Sequence, residues 1–136
     1  MPEIVVKGRK LSSGKAQGEA VITGQPLGFS DCVDATTGVV VEKDHELAGV
    51  NLAGKILFYP GGRGATVDSF YLYEMARLGT APAGIVNAKG DAAQVVGAII
   101  SNIPMIDKID ADSTKLIRTG DRVELDSDQG TVRVTK

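Results

Sequence analysis

The stretch Phe58-Tyr59-Pro60-Gly61-Gly62-Arg63-Gly64-Ala65-Thr66-Val67-Asp68-Ser69 holds the residues of this chain best suited to binding chemistry. It leaves an apolar strand, passes a glycine-rich turn with one arginine, and enters an amphipathic helix. Glycines let backbone amides approach a ligand closely and permit φ > 0 without steric cost. The helix start offers unpaired N–H groups and the positive end of its dipole, both favourable to an anionic oxygen. Arg63 adds a planar fork matched to carboxylate or phosphate. The pattern describes an anion cradle built from Gly62, Arg63 and Gly64. The plainer alternative is a tight strand-to-helix turn with a solvated arginine. No Lys-Ser/Thr pair follows the last glycine, so this is not a Walker loop, and the spacing does not fit the dinucleotide fingerprint.

Other chemistries find little support. His45 and Cys32 are single and far apart, so this chain is expected to supply no metal ligands; a metal, if needed, comes from another chain. A net charge of −2 argues against nucleic-acid binding by bulk electrostatics. With no tryptophan and 4% aromatics, a base-stacking platform is not expected. One cysteine excludes an internal disulfide and suits a reducing cytoplasm. No apolar run is long enough to span a membrane, and Met1-Pro2-Glu3 leads straight into a strand without a signal peptide. At 136 residues, one domain over 1–136 is expected.

The elements that must hold the cradle follow from periodicity. Strands are expected at Ile4–Gly8, Gly18–Thr23, Lys55–Tyr59, Ala83–Asn87 and Met105–Ile106, with looser candidates at Leu27–Val33 and Val39–Val41. Leu11–Gly14 reads as a turn and Asp44–Leu52 as a loop. Val67, Tyr71, Met75 and Leu78 recur on one helical face; Thr66 is placed to cap that helix and Asp68 to suit its dipole. A second helix is expected from Asp91, its cap, to Asn102, apolar nearly all round and therefore buried on most sides. Val123, Leu125, Val132 and Val134 alternate inward across a terminal hairpin. The predicted class is α+β: a small closed or nearly closed β-sheet barrel with two to three packed helices. Junctions at Gly64 and Gly90 opening on one edge would gather Arg63, Thr66, Asn87 and Lys89 around a shallow site; Asn87 and Lys89 also read as ordinary turn residues.

Several motifs fall in an order that resembles a known family. They are Pro26-Leu27-Gly28-Phe29, Val33-Asp34-x-x-Thr37-Gly38, Asp44-His45, Gly54-Lys55, Pro60-x-Gly62-Arg63-Gly64-x-Thr66-x-x-Ser69, Asn87 and Gly97-Ala98-Ile99-Ile100-x-x-Ile103-Pro104. Over Gly18–Asp107 the chain resembles the small, swivel-domain subunit of the aconitase X family, in its archaeal phosphomevalonate dehydratase form. The resemblance implies a swivelling β/β/α domain docked, as a heterodimer, on a large subunit. That subunit would carry an iron–sulfur cluster of the 4Fe–4S kind on its own thiolates, with no cofactor bound by this chain. It implies a hydro-lyase converting (R)-5-phosphomevalonate to trans-anhydromevalonate 5-phosphate in a modified mevalonate route to isoprenoids, this chain being inactive alone. Relatives elsewhere dehydrate cis-3-hydroxy-L-proline, and that remains an alternative, as does a non-catalytic anion-binding module.

One position departs from the family. A serine is usual after Arg-Gly, where related aconitases place the catalytic base, and Ala65 stands there. A methyl group accepts no proton, and losing a positioned base costs roughly 10²–10⁴ in rate. The chain is then a serine-to-alanine variant that traps substrate, a member in which Thr66 or Ser69 acts instead, or a paralogue that only binds. The otherwise intact cradle favours the first. Thr66 reads more readily as a helix cap than as a base. His45, flanked by Asp44 and Glu46, reads as a turn or interface residue, because a phosphate on it would be repelled. Cys32 reads as a packed small side chain.

Overall fold

Two kinds of strand meet in one long one. The computed structural model describes residues 3–136, so Met1 and Pro2, read above as the entry to the first strand, lie outside the described residues. Strand β3 (Lys15–Ile22) pairs antiparallel with β7 (Arg122–Asp126) through residues 15–19, then parallel with β4 (Ile56–Tyr59) through residues 20–22. Beyond β7 lie β8 (Thr131–Thr135) and β1 (Glu3–Lys7), both antiparallel; beyond β4 lie β5 (Gly84–Asn87) and β6 (Met105–Asp107), both parallel, and then β2 (Arg9–Ser12), antiparallel. No ladder joins the edge strands β1 and β2 among the described residues. Gly8 alone separates them, so the sheet is not hydrogen-bonded into a closed barrel. Gly8 is required there by space: a Cβ would lie 2.6 Å from the Asp107 carbonyl oxygen.

Side chains alternate across the parallel strands. Leu57, Tyr59, Ile85 and Met105 face the helices, joining Leu72, Met75 and Ala98 in one core. Ile56, Phe58, Val86 and Ile106 face the other way, onto Val123, Leu125, Val132 and Val134. These strands are buried on both faces, which is why they read as continuous apolar runs, and each such side chain contributes about 1.5–3 kcal/mol. Helix α2 (Asp68–Leu78) and helix α3 (Ala92–Ile100) are the two full helices; α1 (Phe29–Cys32) and α4 (Ala111–Thr114) are single turns.

Five local expectations need correction. Leu27–Val33 is not a strand: it contains α1, whose first N–H groups are capped by the distant Asp68 carboxylate. Val39–Val41 makes only isolated bridges, Val40 to Val33 and Val39 to Asn51, and Val41 is exposed. Leu11–Ser12 belongs to β2 rather than a turn. The buried face of α2 is Asp68, Leu72 and Met75; Val67 and Leu78 are exposed, because Asp68 is drawn inward by hydrogen bonds. The second helix is less buried than its composition implies, since Val96, Ile99 and Ile100 are each about half exposed. The terminal hairpin, its four inward residues and the Asp91 cap are as predicted: Asp91 accepts from Ala93 N and Gln94 N.

Candidate functional site

β4 and β5 are parallel neighbours with Tyr59 opposite Asn87, so both strand-to-helix junctions open on the same edge. The two loops are in contact. A Cβ at Gly61 would lie 2.6 Å from the Lys89 carbonyl oxygen, and one at Gly62 would lie 2.7 Å from the Asp91 carboxylate. These glycines serve close approach of chain to chain, and of the three cradle glycines Gly64 alone adopts a positive φ, 81°. Gly64 N donates to Asp91 Oδ2 at 2.7 Å, while Asp91 Oδ1 caps α3. Asp91 therefore ties the cradle to the second helix.

Thr66 does not cap α2. The N-cap residue is Val67, with no side-chain cap bond, and Thr66 is exposed within a turn closed by Asp68 N donating to Ala65 O at 3.1 Å. Ser69 Oγ donates to Thr66 O at 3.2 Å. Ala65 is partly buried between Gly64 and Thr66. Lys89 is exposed on the adjoining loop. Asn87 lies beneath: it is 1% exposed, donates from Nδ2 to Tyr59 O at 3.1 Å, and leaves its Oδ1 without a partner. It lines a cavity of about 200 Å³ with Thr23, Tyr59, Pro60 and Ala88 at the ends of the parallel strands.

Arg63 is the cation of the cradle, and its guanidinium is already gripped. Nη1 donates to Glu42 Oε1 at 3.1 Å and Nη2 to Glu42 Oε2 at 2.9 Å. Nη1 also approaches Asp31 Oδ2 and Cys32 Sγ, each at 3.0 Å. The Arg63 hydrogen bonds, with a second from Cys32, hold the Glu42 carboxyl down at about 2. Burial, reinforced by the thiol's bond to Glu42 at 2.9 Å, pushes Cys32 up to about 12. That thiol is a neutral packed group, as expected. His45 is buried too: Nδ1 accepts from Leu47 N at 3.0 Å, so Nε2 is the nitrogen left to donate to Pro26 O at 3.1 Å.

Sequence reasoning missed a polar layer under the cradle. Asp68, fully buried, accepts from Phe29 N, Ser30 N and Gln94 Nε2. Gln94, also fully buried, donates again to Leu27 O and accepts from the Tyr59 hydroxyl. Satisfied networks of this kind fix geometry, because any unpaired member is costly. Gln94, the lone polar residue in an apolar helix, was the available signal. Among the described residues no group of three or more His, Cys, Asp or Glu side chains is arranged to hold a metal ion, and no helix is long and apolar enough to cross a membrane.

Known proteins resemble the chain over nearly its whole length. A family model for the aconitase X swivel domain matches residues 5–134. A protein of Methanosarcina acetivorans named phosphomevalonate dehydratase small subunit is 39% identical, covering 100% of this chain and 94% of its own. One of the same name from Thermococcus sibiricus is 42% identical, covering 95% and 97%. The crystal structure of Thermococcus kodakaraensis aconitase X in its holo-form superposes with a TM-score of 0.91 at 38% identity, covering 100% of both chains.

Proposed function

The chain belongs to the aconitase X swivel-domain family, and from that premise we propose that it is the small subunit of a hydro-lyase. The reaction is dehydration of (R)-5-phosphomevalonate to trans-anhydromevalonate 5-phosphate, as one half of a heterodimer with a large subunit. The observation that carries this reading is full-length kinship with proteins named as that small subunit. In it, Gly62, Arg63 and Gly64 receive one anionic end of the substrate, and Lys89 on the adjoining loop draws the other. Asn87 steadies the strand end beneath, through Tyr59 O.

Dehydration removes a proton beside the carboxylate, places the electron pair in a new carbon–carbon double bond, and releases the hydroxyl as water. We assign the proton-acceptor position to residue 65, on the turn just ahead of α2. Ala65 cannot fill it, so the chain is a serine-to-alanine variant at an otherwise complete site. Ser69 is engaged with Thr66 O, which leaves the exposed Thr66 hydroxyl as the nearer substitute. The described residues do not fit an iron–sulfur cluster, the sole cysteine being buried and neutral, so we place the cluster in the partner subunit. The small chain is then inactive alone.

Ala65 also favours a second reading, a binding module with no chemistry of its own. Co-purification with the large subunit and an assay on phosphomevalonate separate the two. The hydro-lyase reading expects a coloured heteromer whose turnover appears on Ala65→Ser. A colourless monomer that binds anions, or turnover by the small chain alone, contradicts it.

A further inference from the structure

Two arginines show how a guanidinium edge is used or spared. Arg9 donates from Nε and Nη2 to the two oxygens of Asp107, both at 2.8 Å. That is the side edge of the fork. Arg63 instead gives Glu42 its end, Nη1 and Nη2. Asp31 and Cys32 draw on Nη1 as well. Among the described residues, the Nε–H of Arg63 and the second N–H of Nη2 meet no acceptor, and these two point along the same side edge that Arg9 spends on a carboxylate.

We propose that Glu42 is a positioning residue: it holds the end of the Arg63 guanidinium so that the Nε/Nη2 edge stays open to one oxyanion, the carboxylate or phosphate of the substrate. This rests on the reading of the cradle as an anion site. A free arginine loses several rotatable bonds on capturing an anion, and one already clamped loses fewer, so prior clamping raises affinity. Glu42 remains ionised throughout the physiological range, with its carboxyl held at about 2. Protonation of Glu42 therefore does not open the clamp near neutral pH. The opposing effect is repulsion between Glu42 and the incoming anion. The guanidinium lies between them, and the two anions occupy different edges. Asp31, by contrast, touches Nη1 alone and is half exposed, so it contributes charge without fixing orientation.

The test follows the Arg63 Nε–H resonance of the ¹⁵N-labelled full chain during titration with inorganic phosphate and, separately, with acetate. At least one anion should shift that resonance saturably, and the tighter one identifies which substrate group the edge takes. In Glu42→Gln the apparent Kd should rise about tenfold, the equivalent of one weakened charge-assisted hydrogen bond. Asp31→Asn should stay within about twofold. Backbone amide spectra report whether each variant keeps the fold, and Glu42→Asp, one methylene too short to reach both Nη atoms from the same backbone position, should weaken binding in the same sense. No shift at Arg63 Nε–H with either anion overturns the proposal. So does equal or tighter binding in Glu42→Gln, which would make Glu42 a competitor. Dehydration is not read here, so failure of the hydro-lyase reading would appear separately, in the assembled enzyme.

Discussion

Arg9 and Arg63 sit in two regions that treat the same chemistry differently. Arg9 begins the edge strand β2, opposite Asp107 in the β2–β6 ladder, and its side edge is closed on a carboxylate that is fully buried. Asp107 has a further donor in Gly90 N at 2.8 Å. Both oxygens of that buried carboxylate are matched inside the chain, which is the signature of a staple. At the cradle, Glu42 closes one edge of Arg63 and leaves the other, and the Ala65–Thr66 turn follows Arg63 in the chain. A buried carboxylate satisfied within the fold serves stability, whereas an arginine edge left open on a glycine-rich turn is available to a ligand.

The largest effect that would sharpen this contrast is at position 65. Ala65→Ser in the assembled enzyme should raise turnover by about two to four powers of ten with little change in melting temperature. Unchanged turnover in that assay would remove the base from this position. On the staple side, Asp107→Asn keeps shape but loses the ionised acceptor. It should cost about 1–3 kcal/mol in denaturant unfolding and leave the KM for substrate alone.

The two regions also differ in pH response. Buried Asp107 is held below the usual carboxylate range by Arg9 and Gly90 N, and Glu42 is held at about 2. Both are depressed, so each contributes stability that is fully present above its unfolded value near 4. That stability is lost as pH falls through the folded value. A carboxyl-resolved NMR titration should place the Glu42 midpoint near 2; a midpoint above 4 would mean the Arg63 clamp is absent in solution. The smallest effect belongs to Thr66→Val, which should shift unfolding free energy by less than about 0.5 kcal/mol, because Thr66 caps nothing. Asp91→Ala should cost about 1 kcal/mol, as a true cap does.

What the sequence disclosed divides along the same line. The β7–β8 hairpin was legible because its signal is local: alternation on either side of a turn. The cradle was legible as a glycine–arginine pattern between an apolar strand and a helix. Its electrostatic setting was not. Glu42 and Asp31 lie 21 and 32 residues from Arg63, and nothing local pairs them. The α1 turn was hidden for the same reason, since the carboxylate that caps it is 39 residues away. Thr66 misled because a hydroxyl before a helix usually caps it, whereas here the turn closes through backbone atoms.

The most direct test takes Arg63→Lys and Arg9→Lys through the same two readouts, in the assembled enzyme carrying Ala65→Ser. Lysine keeps the charge and loses the two-toothed grip in both cases. Arg63→Lys should raise the KM for phosphomevalonate about tenfold or more with only a small drop in melting temperature, and Arg9→Lys should lower the melting temperature more with KM unchanged. If Arg63→Lys lowers the melting temperature as much as Arg9→Lys, or leaves KM unchanged, the distinction between a ligand-facing arginine and a structural one does not describe this protein.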